Sequence, residues 1–71
     1  MSEEQLNMAI RKFLKQFGVQ AQREIERAVQ RGVESGALAG ADTIKVRARL
    51  EIEGVEGGFA IEDDLPLSWR G

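Results

Sequence analysis

The chain has 71 residues and a formal net charge of −2 at pH 7, with 42% hydrophobic and 31% charged residues. This balance is typical of one small globular domain, and it excludes a disordered polyelectrolyte or a strongly basic nucleic-acid binder. The sequence has no Cys and no His, so disulfides and the common zinc sites are excluded and self-association becomes the favoured source of extra stability.

The first predicted element is an amphipathic helix. Ser2 and Gln5 fit a capping box, and the acidic Glu3 and Glu4 suit the positive end of a helix dipole. Apolar residues then recur every three or four positions and share one side of a helix: Leu6, Ala9, Ile10, Phe13, Leu14 and Phe17. Gly18 is the kind of residue that ends helices in a left-handed conformation. We therefore expect the first helix to end there.

A second helix is predicted from Gln20 or Ala21 to Ser35, stopped by Gly36. Its apolar side has smaller residues: Ala21, Ile25, Ala28, Val29, Gly32 and Val33. Gly32 costs roughly 0.5–1 kcal/mol relative to Ala in a helix interior, so close packing is expected over it. Together the two elements predict a helix pair over residues 3–35.

After a connector at residues 36–42, in which Leu38 is the expected anchor, the apolar period changes from helical to alternating. Ile44, Val46, Ala48, Leu50 and Ile52 line one face of a predicted strand that covers 43–53. Glycines at 54, 57 and 58 indicate a hairpin turn, and a second strand follows from 59 to 67.

The register of the hairpin is predicted from its charges. Apolar faces stay together if paired residue numbers sum to 111 or 113, and the sum of 111 is favoured because it places Arg49 opposite Glu62 and Arg47 near Asp64. Asp63 falls on the inward side, which predicts a bulge or bend at Asp63–Asp64.

The predicted fold is α+β with the order ααββ, in a single domain over residues 1–71. We expect the helix pair to pack on one face of the two-stranded hairpin of residues 43–67, because an isolated hairpin is marginally stable in water. The sequence leaves open whether the connector adds a third strand.

No motif indicates catalysis or ligand binding. Without His, Cys or Tyr the usual nucleophilic triads and neutral-pH bases are missing. Gly54, Gly57 and Gly58 lack the phosphate-loop pattern, and the acidic run at residues 62–64 lacks the spacing of a calcium loop. We therefore expect a non-enzyme with no cofactor, no metal and no small-molecule substrate.

Four residues are candidates for partner binding. Arg23, Arg27 and Arg31 recur every four positions on the solvent side of the second predicted helix, and Met8 lies opposite the apolar side of the first. The arginines form either a solvated, partly neutralised face or a docking surface for an acidic partner or a phosphate backbone. Met8 is either a single exposed apolar residue or a partner contact.

These observations favour a small interaction or regulatory module that acts by protein–protein contact, with self-association or another protein as the partner. The alternative is weak nucleic-acid binding through the arginine face. No apolar run approaches the ~18 residues of a membrane span, and Glu3 and Glu4 are unlike a secretory or transit peptide. A cytoplasmic protein without membrane contact is expected.

A resemblance is carried by three segments, N-M-A-I-R-K-F-L-K at 7–15, G-V at 18–19 and Q-R-E-I-E-R-A-V at 22–29, and it continues through residues 35–36 into 48–54. These segments resemble a family of short bacterial proteins with no assigned function. The resemblance implies a small intracellular bacterial protein and assigns no functional residue.

Overall fold

The structure, a computed structural model, describes residues 2–67. It has three elements: the helix α1 (Glu3–Ser35) and the strands β1 (Thr43–Leu50) and β2 (Phe59–Pro66). The α+β class and the β-hairpin predicted from the sequence are confirmed. The chain divides into two compact units, Met1–Ala39 and Gly40–Gly71, so the helix and the hairpin each belong to a separate unit.

The start of α1 is held by the predicted capping box. The backbone N–H of Gln5 donates to Ser2 Oγ at 3.1 Å, and the backbone N–H of Ser2 donates to Gln5 Oε1 at 3.2 Å. Two backbone donors that the helix leaves without partners are thereby satisfied, and Glu3 and Glu4 occupy the first turn. This part of the sequence prediction is confirmed.

The predicted helix pair is wrong, because α1 runs through Gly18 as one helix of 33 residues. Gly18 is not among the glycines with positive φ. Phe17, Ala21 and Ile25 stay on one side of the helix across this point, since they succeed each other at intervals of four. A helical glycine costs about 1 kcal/mol relative to Ala, whereas a break would leave several backbone groups without intrahelical partners.

The helix ends at Gly36, whose φ of 84° is left-handed. Beyond it the chain turns back, and the backbone N–H of Leu38 donates to the carbonyl of Gly32 at 3.1 Å. The Leu38 side chain lies directly over Gly32, where an added Cβ would come within 2.7 Å of it. Leu38 is therefore an anchor, as predicted, and its close approach explains the glycine at position 32.

The strands of the hairpin pair in a register two residues away from the favoured prediction. Paired numbers sum to 109, which places Arg47 opposite Glu62 and Lys45 opposite Asp64. The predicted sums of 111 and 113 are wrong because β1 ends at Leu50, three residues early. Residues 51–58 instead form a longer loop with a turn of its own, closed by the N–H of Val55 and the carbonyl of Ile52 at 3.1 Å.

The predicted bulge at Asp63–Asp64 is also wrong. Pairing is regular from Leu50–Phe59 to Thr43–Pro66, and Asp63 lies opposite Val46 on the apolar side of the hairpin. Its side chain is exposed, and Oδ1 accepts the backbone N–H of Asp64 at 2.9 Å. The carboxylate keeps its access to water at this position, so the desolvation cost that argued for a bulge does not arise.

Candidate functional site

An apolar stripe extends along α1 within the described part of the chain. Apart from the adjacent Phe13 and Leu14, its residues succeed each other at intervals of three or four, so they lie on one side of the helix. We call these residues the apolar stripe: Leu6, Ile10, Phe13, Leu14, Phe17, Ala21, Ile25, Ala28 and Gly32.

The two halves of the stripe differ in size. The half before Gly18, which we call the large half, consists of Leu6, Ile10, Phe13, Leu14 and Phe17, and Ala9 flanks it. The rings of Phe13 and Phe17 are stacked, with centroids 6.5 Å apart and planes 17° from parallel. The half after Gly18, the small half, has Ala21, Ala28 and Gly32 with Ile25 as its one large member, and Val29 and Val33 flank it.

The large half is open to solvent. Its five residues are between 47% and 56% exposed, and Phe13 is the most exposed of them. No residue among 2–67 is buried, and Ala21, Ile25 and Gly32 of the small half are half-buried. Contiguous exposed apolar surface of this kind is typical of sites that contact other proteins or membranes.

Met8 lies away from the apolar stripe, as its sequence position predicts. Its side chain is 70% exposed, and it precedes Arg23 by fifteen residues, or about 22 Å along the helix axis. The structure therefore does not bring Met8 together with the arginine candidates. A partner that contacts Met8 would have to extend far along the helix to reach them.

The three arginines share an exposed side of α1, but one of them has an acidic neighbour. Arg27 Nη1 lies 3.3 Å from Glu24 Oε2, and both side chains are about two-thirds exposed. Within residues 2–67 the structure pairs neither Arg23 nor Arg31 with a carboxylate. The face is therefore neutralised at Arg27, as expected for a solvated face, and cationic at Arg23 and Arg31, as expected for a docking surface.

On the charged side of the hairpin, cations and carboxylates neutralise each other. Arg47 Nε lies 2.9 Å from Glu62 Oε2, and Lys45 Nζ lies 3.7 Å from Glu62 Oε1. One carboxylate thus holds two cations on the neighbouring strand. Exposed pairs of this kind contribute about 0–1 kcal/mol each, so they are compatible with this register and add little to the stability of the fold.

Among the described residues there is neither a cluster of metal-binding side chains nor a membrane-spanning helix. Between residues 2 and 67, no group of three or more His, Cys, Asp or Glu is placed to hold a metal ion. No helix in that range combines the length and the apolar character needed to cross a membrane. What the geometry does provide is surface for non-covalent contact along α1.

The sequence pattern identifies the residues of the apolar stripe but assigns them to a core. A break at Gly18 would divide them between two short helices that could cover each other. The signal that identifies a surface is the uninterrupted spacing Leu14, Phe17, Ala21, Ile25 across the glycine. A helix that continues through Gly18 cannot fold back on itself, so its stripe needs another cover.

Comparison with curated proteins and with solved structures gives no match. A family model, described as a family of unknown function (DUF6494), matches residues 1–68. The match includes all of α1, β1 and β2, and it agrees with the resemblance that the sequence motifs indicated. The chain therefore belongs to this family of unknown function.

Proposed function

We propose that this protein is a non-enzymatic interaction module that binds another protein chain through the apolar stripe of α1. The observation that carries the proposal is the large half of the stripe, five adjoining apolar side chains that are each about half exposed. Covering roughly 100 Å² on each would contribute on the order of 10 kcal/mol before the costs of association. Those costs are about 4–15 kcal/mol, so the large half is a substantial part of a binding surface.

The chemistry of the chain supports contact over catalysis. Its residues include no His, Cys or Tyr, which are common general bases and nucleophiles near neutral pH. The ion pairs among residues 2–67 are exposed: Arg27 with Glu24, and Glu62 with both Arg47 and Lys45. A surface that buries apolar side chains against a partner uses the residues that this sequence has in abundance.

Site-specific photo-cross-linking in the native host tests the proposal. A photoreactive amino acid replaces Phe17, at the centre of the stripe, and in a control replaces Gln30, which lies on the other side of the same helix. We expect irradiation to convert the Phe17 variant to species of higher mass and to leave the Gln30 variant unchanged. Equal cross-linking at both positions, or none at Phe17, would contradict the proposal.

Weak nucleic-acid binding through Arg23, Arg27 and Arg31 is the alternative. It is favoured by the exposure of Arg23 and Arg31, neither of which has a carboxylate within ion-pair distance among residues 2–67. It requires an affinity for single- or double-stranded probes that falls steeply with salt and is lost when all three arginines are replaced by Ala. We rank it second because Glu24 offsets the charge at the centre of the row.

A further inference from the structure

We propose that the partner of the apolar stripe is a second copy of this chain, with the two α1 helices antiparallel about a two-fold axis near Val19. The inference rests on the proposed function and specifies its partner. It makes the module a homodimer in which each copy presents the same surface to the other. Such isologous contacts are the commonest form of protein self-association.

The spacing of the stripe supports the two-fold arrangement. Eight of its nine positions, all except Leu14, are separated by intervals of 4, 3, 4, 4, 4, 3 and 4 residues, which read the same in both directions. Positions equidistant from residue 19 therefore meet when two copies pair in opposite directions. The four pairs are Leu6 with Gly32, Ile10 with Ala28, Phe13 with Ile25, and Phe17 with Ala21.

The sizes of the paired residues are complementary in all but one pair, since Phe13 and Ile25 are both large. Phe17 of one copy faces Ala21 of the other, and Ile10 faces Ala28, so a large side chain meets a small one in both layers. Facing positions that alternate in size fill the space between two helices without voids. A parallel pair would instead place Phe17 against Phe17 and Ala21 against Ala21, which crowds one layer and leaves a cavity in another.

The ends of the helix favour the same direction. Residue 19 is also the midpoint of α1, Glu3–Ser35, so antiparallel copies overlap along the whole helix. The positive end of each helix dipole then lies beside the negative end of the other. Glu3 and Glu4 of one copy lie level with Ser35 and Glu34 of the other, about one turn beyond Arg31, whereas parallel copies would place both acidic residues of one copy beside those of the other. The Leu38 side chain lies over Gly32, so Leu6 of the other copy would contact Leu38 at this position.

The available area matches a small specific dimer. Five large residues with roughly 100 Å² each, contributed by both copies, give about 1,000 Å² of buried apolar surface. That is the size at which an interface becomes specific, and the small half and the stems of flanking Lys and Arg side chains add to it. The stripe needs no further surface to reach this size.

Strand edges are a less suitable contact between copies. If two β1 strands met edge to edge, with their apolar residues on one side, the charged side would place Lys45, Arg47 and Arg49 opposite each other. Like charges in directly opposite positions destabilise a sheet. The exposed edge of β1 therefore disfavours pairing with its own copy, and the helix remains the self-complementary surface.

A size exchange tests the contact between Phe17 and Ala21. We expect sedimentation equilibrium to give twice the chain mass for the unaltered protein. Phe17→Ala should raise the dimer Kd at least about a hundredfold, and Ala21→Phe at least about tenfold, because the first leaves a cavity and the second overfills the layer. The double variant exchanges the two sizes and should return the Kd to within about tenfold of the original, while the control Gln30→Ala leaves it unchanged.

The direction of pairing is tested without altering the stripe. Since the chain has no Cys, a single Met8→Cys or Gln20→Cys substitution gives one spin label per copy. Antiparallel copies place the labels at position 8 about 33 Å apart along the axis and those at position 20 about 3 Å apart along it. Parallel copies would place both label pairs at about the 8–10 Å separation of neighbouring helices, extended by the label arms.

The outcomes separate this inference from the proposed function. A strict monomer at millimolar concentration, short distances at both label positions, or a double variant weaker than either single variant would overturn antiparallel pairing. In the photo-cross-linking experiment, a product of twice the chain mass at Phe17 supports both proposals. A product with a different protein supports the proposed function and overturns pairing with a second copy. No product at Phe17 overturns the proposed function itself.

Discussion

Glycine has opposite consequences in the helix and in the hairpin. Gly18 lies in the middle of α1 without a positive φ, and nothing lies within 4 Å of the place where its Cβ would be. Gly54, in the loop between β1 and β2, has a φ of 84° and lies in the turn closed by Val55 and Ile52. The same residue type therefore continues one element and reverses the chain in another.

The residues after each glycine determine whether the helix continues. After Gly18 come Val19, Gln20 and Ala21, and the apolar stripe continues in phase, so each further residue adds an intrahelical hydrogen bond. At the end of α1, by contrast, Leu38 comes two residues after Gly36, packs back on Gly32 and supplies a backbone donor to it. A glycine ends a helix when the residues after it can pack and hydrogen-bond against the last turn. The residues after Gly18 continue the helix instead.

The largest expected effect comes from Gly18→Pro. Proline in a helix interior removes a backbone hydrogen bond and clashes with the preceding turn, so we expect a loss of at least about 3 kcal/mol in the free energy of unfolding of α1. Urea titration followed by circular dichroism at a fixed protein concentration measures it. The control Glu3→Pro lies at the first helical position, where proline is tolerated. Equal stability of the Gly18→Pro variant and the original would show that α1 is broken at this point.

In the hairpin, Gly54→Ala should cost about 1–2 kcal/mol, because an L-residue is strained at the positive φ of this turn. Hydrogen exchange of the β1 and β2 amides measures the loss within the hairpin unit. The matched control is Gly54→Asn, which should lose less because Asn adopts left-handed conformations more readily. Identical protection in the Ala and Asn variants would contradict a left-handed turn at this position.

Features that depend on residues near one another in the chain can be predicted from this sequence. They include the capping box at Ser2 and Gln5, the helix end at Gly36, the anchor Leu38 and the alternation of β1. Continuity through Gly18 cannot be predicted in the same way, because it is a balance between a local cost of about 1 kcal/mol and hydrogen bonds spread over many residues. Without that continuity the apolar stripe has the pattern of two short helices with a shared core.

The hairpin register could not be predicted for a related reason. The sums 109, 111 and 113 all keep the apolar residues on one side, and 109 and 111 both join opposite charges. The choice depends on the loop, where Glu51, Ile52 and Glu53 leave the strand to form a separate turn. The glycines of residues 51–58 permit left-handed backbone angles but do not determine which of them adopts one, so charge pairing alone selects the wrong register.

Gly18→Ala tests the same helix position, with a smaller expected effect on stability and the opposite sign. Since nothing occupies the space for its Cβ and α1 is helical there, Ala should stabilise α1 by about 1 kcal/mol and raise its helix content. Thermal unfolding followed by circular dichroism measures both. Gly36→Ala, at a positive φ, is the control with the opposite sign. If Gly18 ended a helix as Gly36 does, both substitutions would destabilise the protein.

The smallest effect concerns the register of the hairpin. Arg47 and Glu62 lie opposite each other with atoms 2.9 Å apart, but their side chains are 73% and 52% exposed, so we expect a coupling energy of only about 0.2–1 kcal/mol. A double-mutant cycle with Arg47→Ala and Glu62→Ala, read from hairpin hydrogen exchange at low and high salt, measures it. The matched cycle replaces Arg49, which lies opposite Ala60 in the structure and opposite Glu62 in the register that charge pairing favours. Coupling of Glu62 to Arg47 but not to Arg49 would confirm the observed register, and the reverse would shift β2 by two residues and return Glu51, Ile52 and Glu53 to the strand.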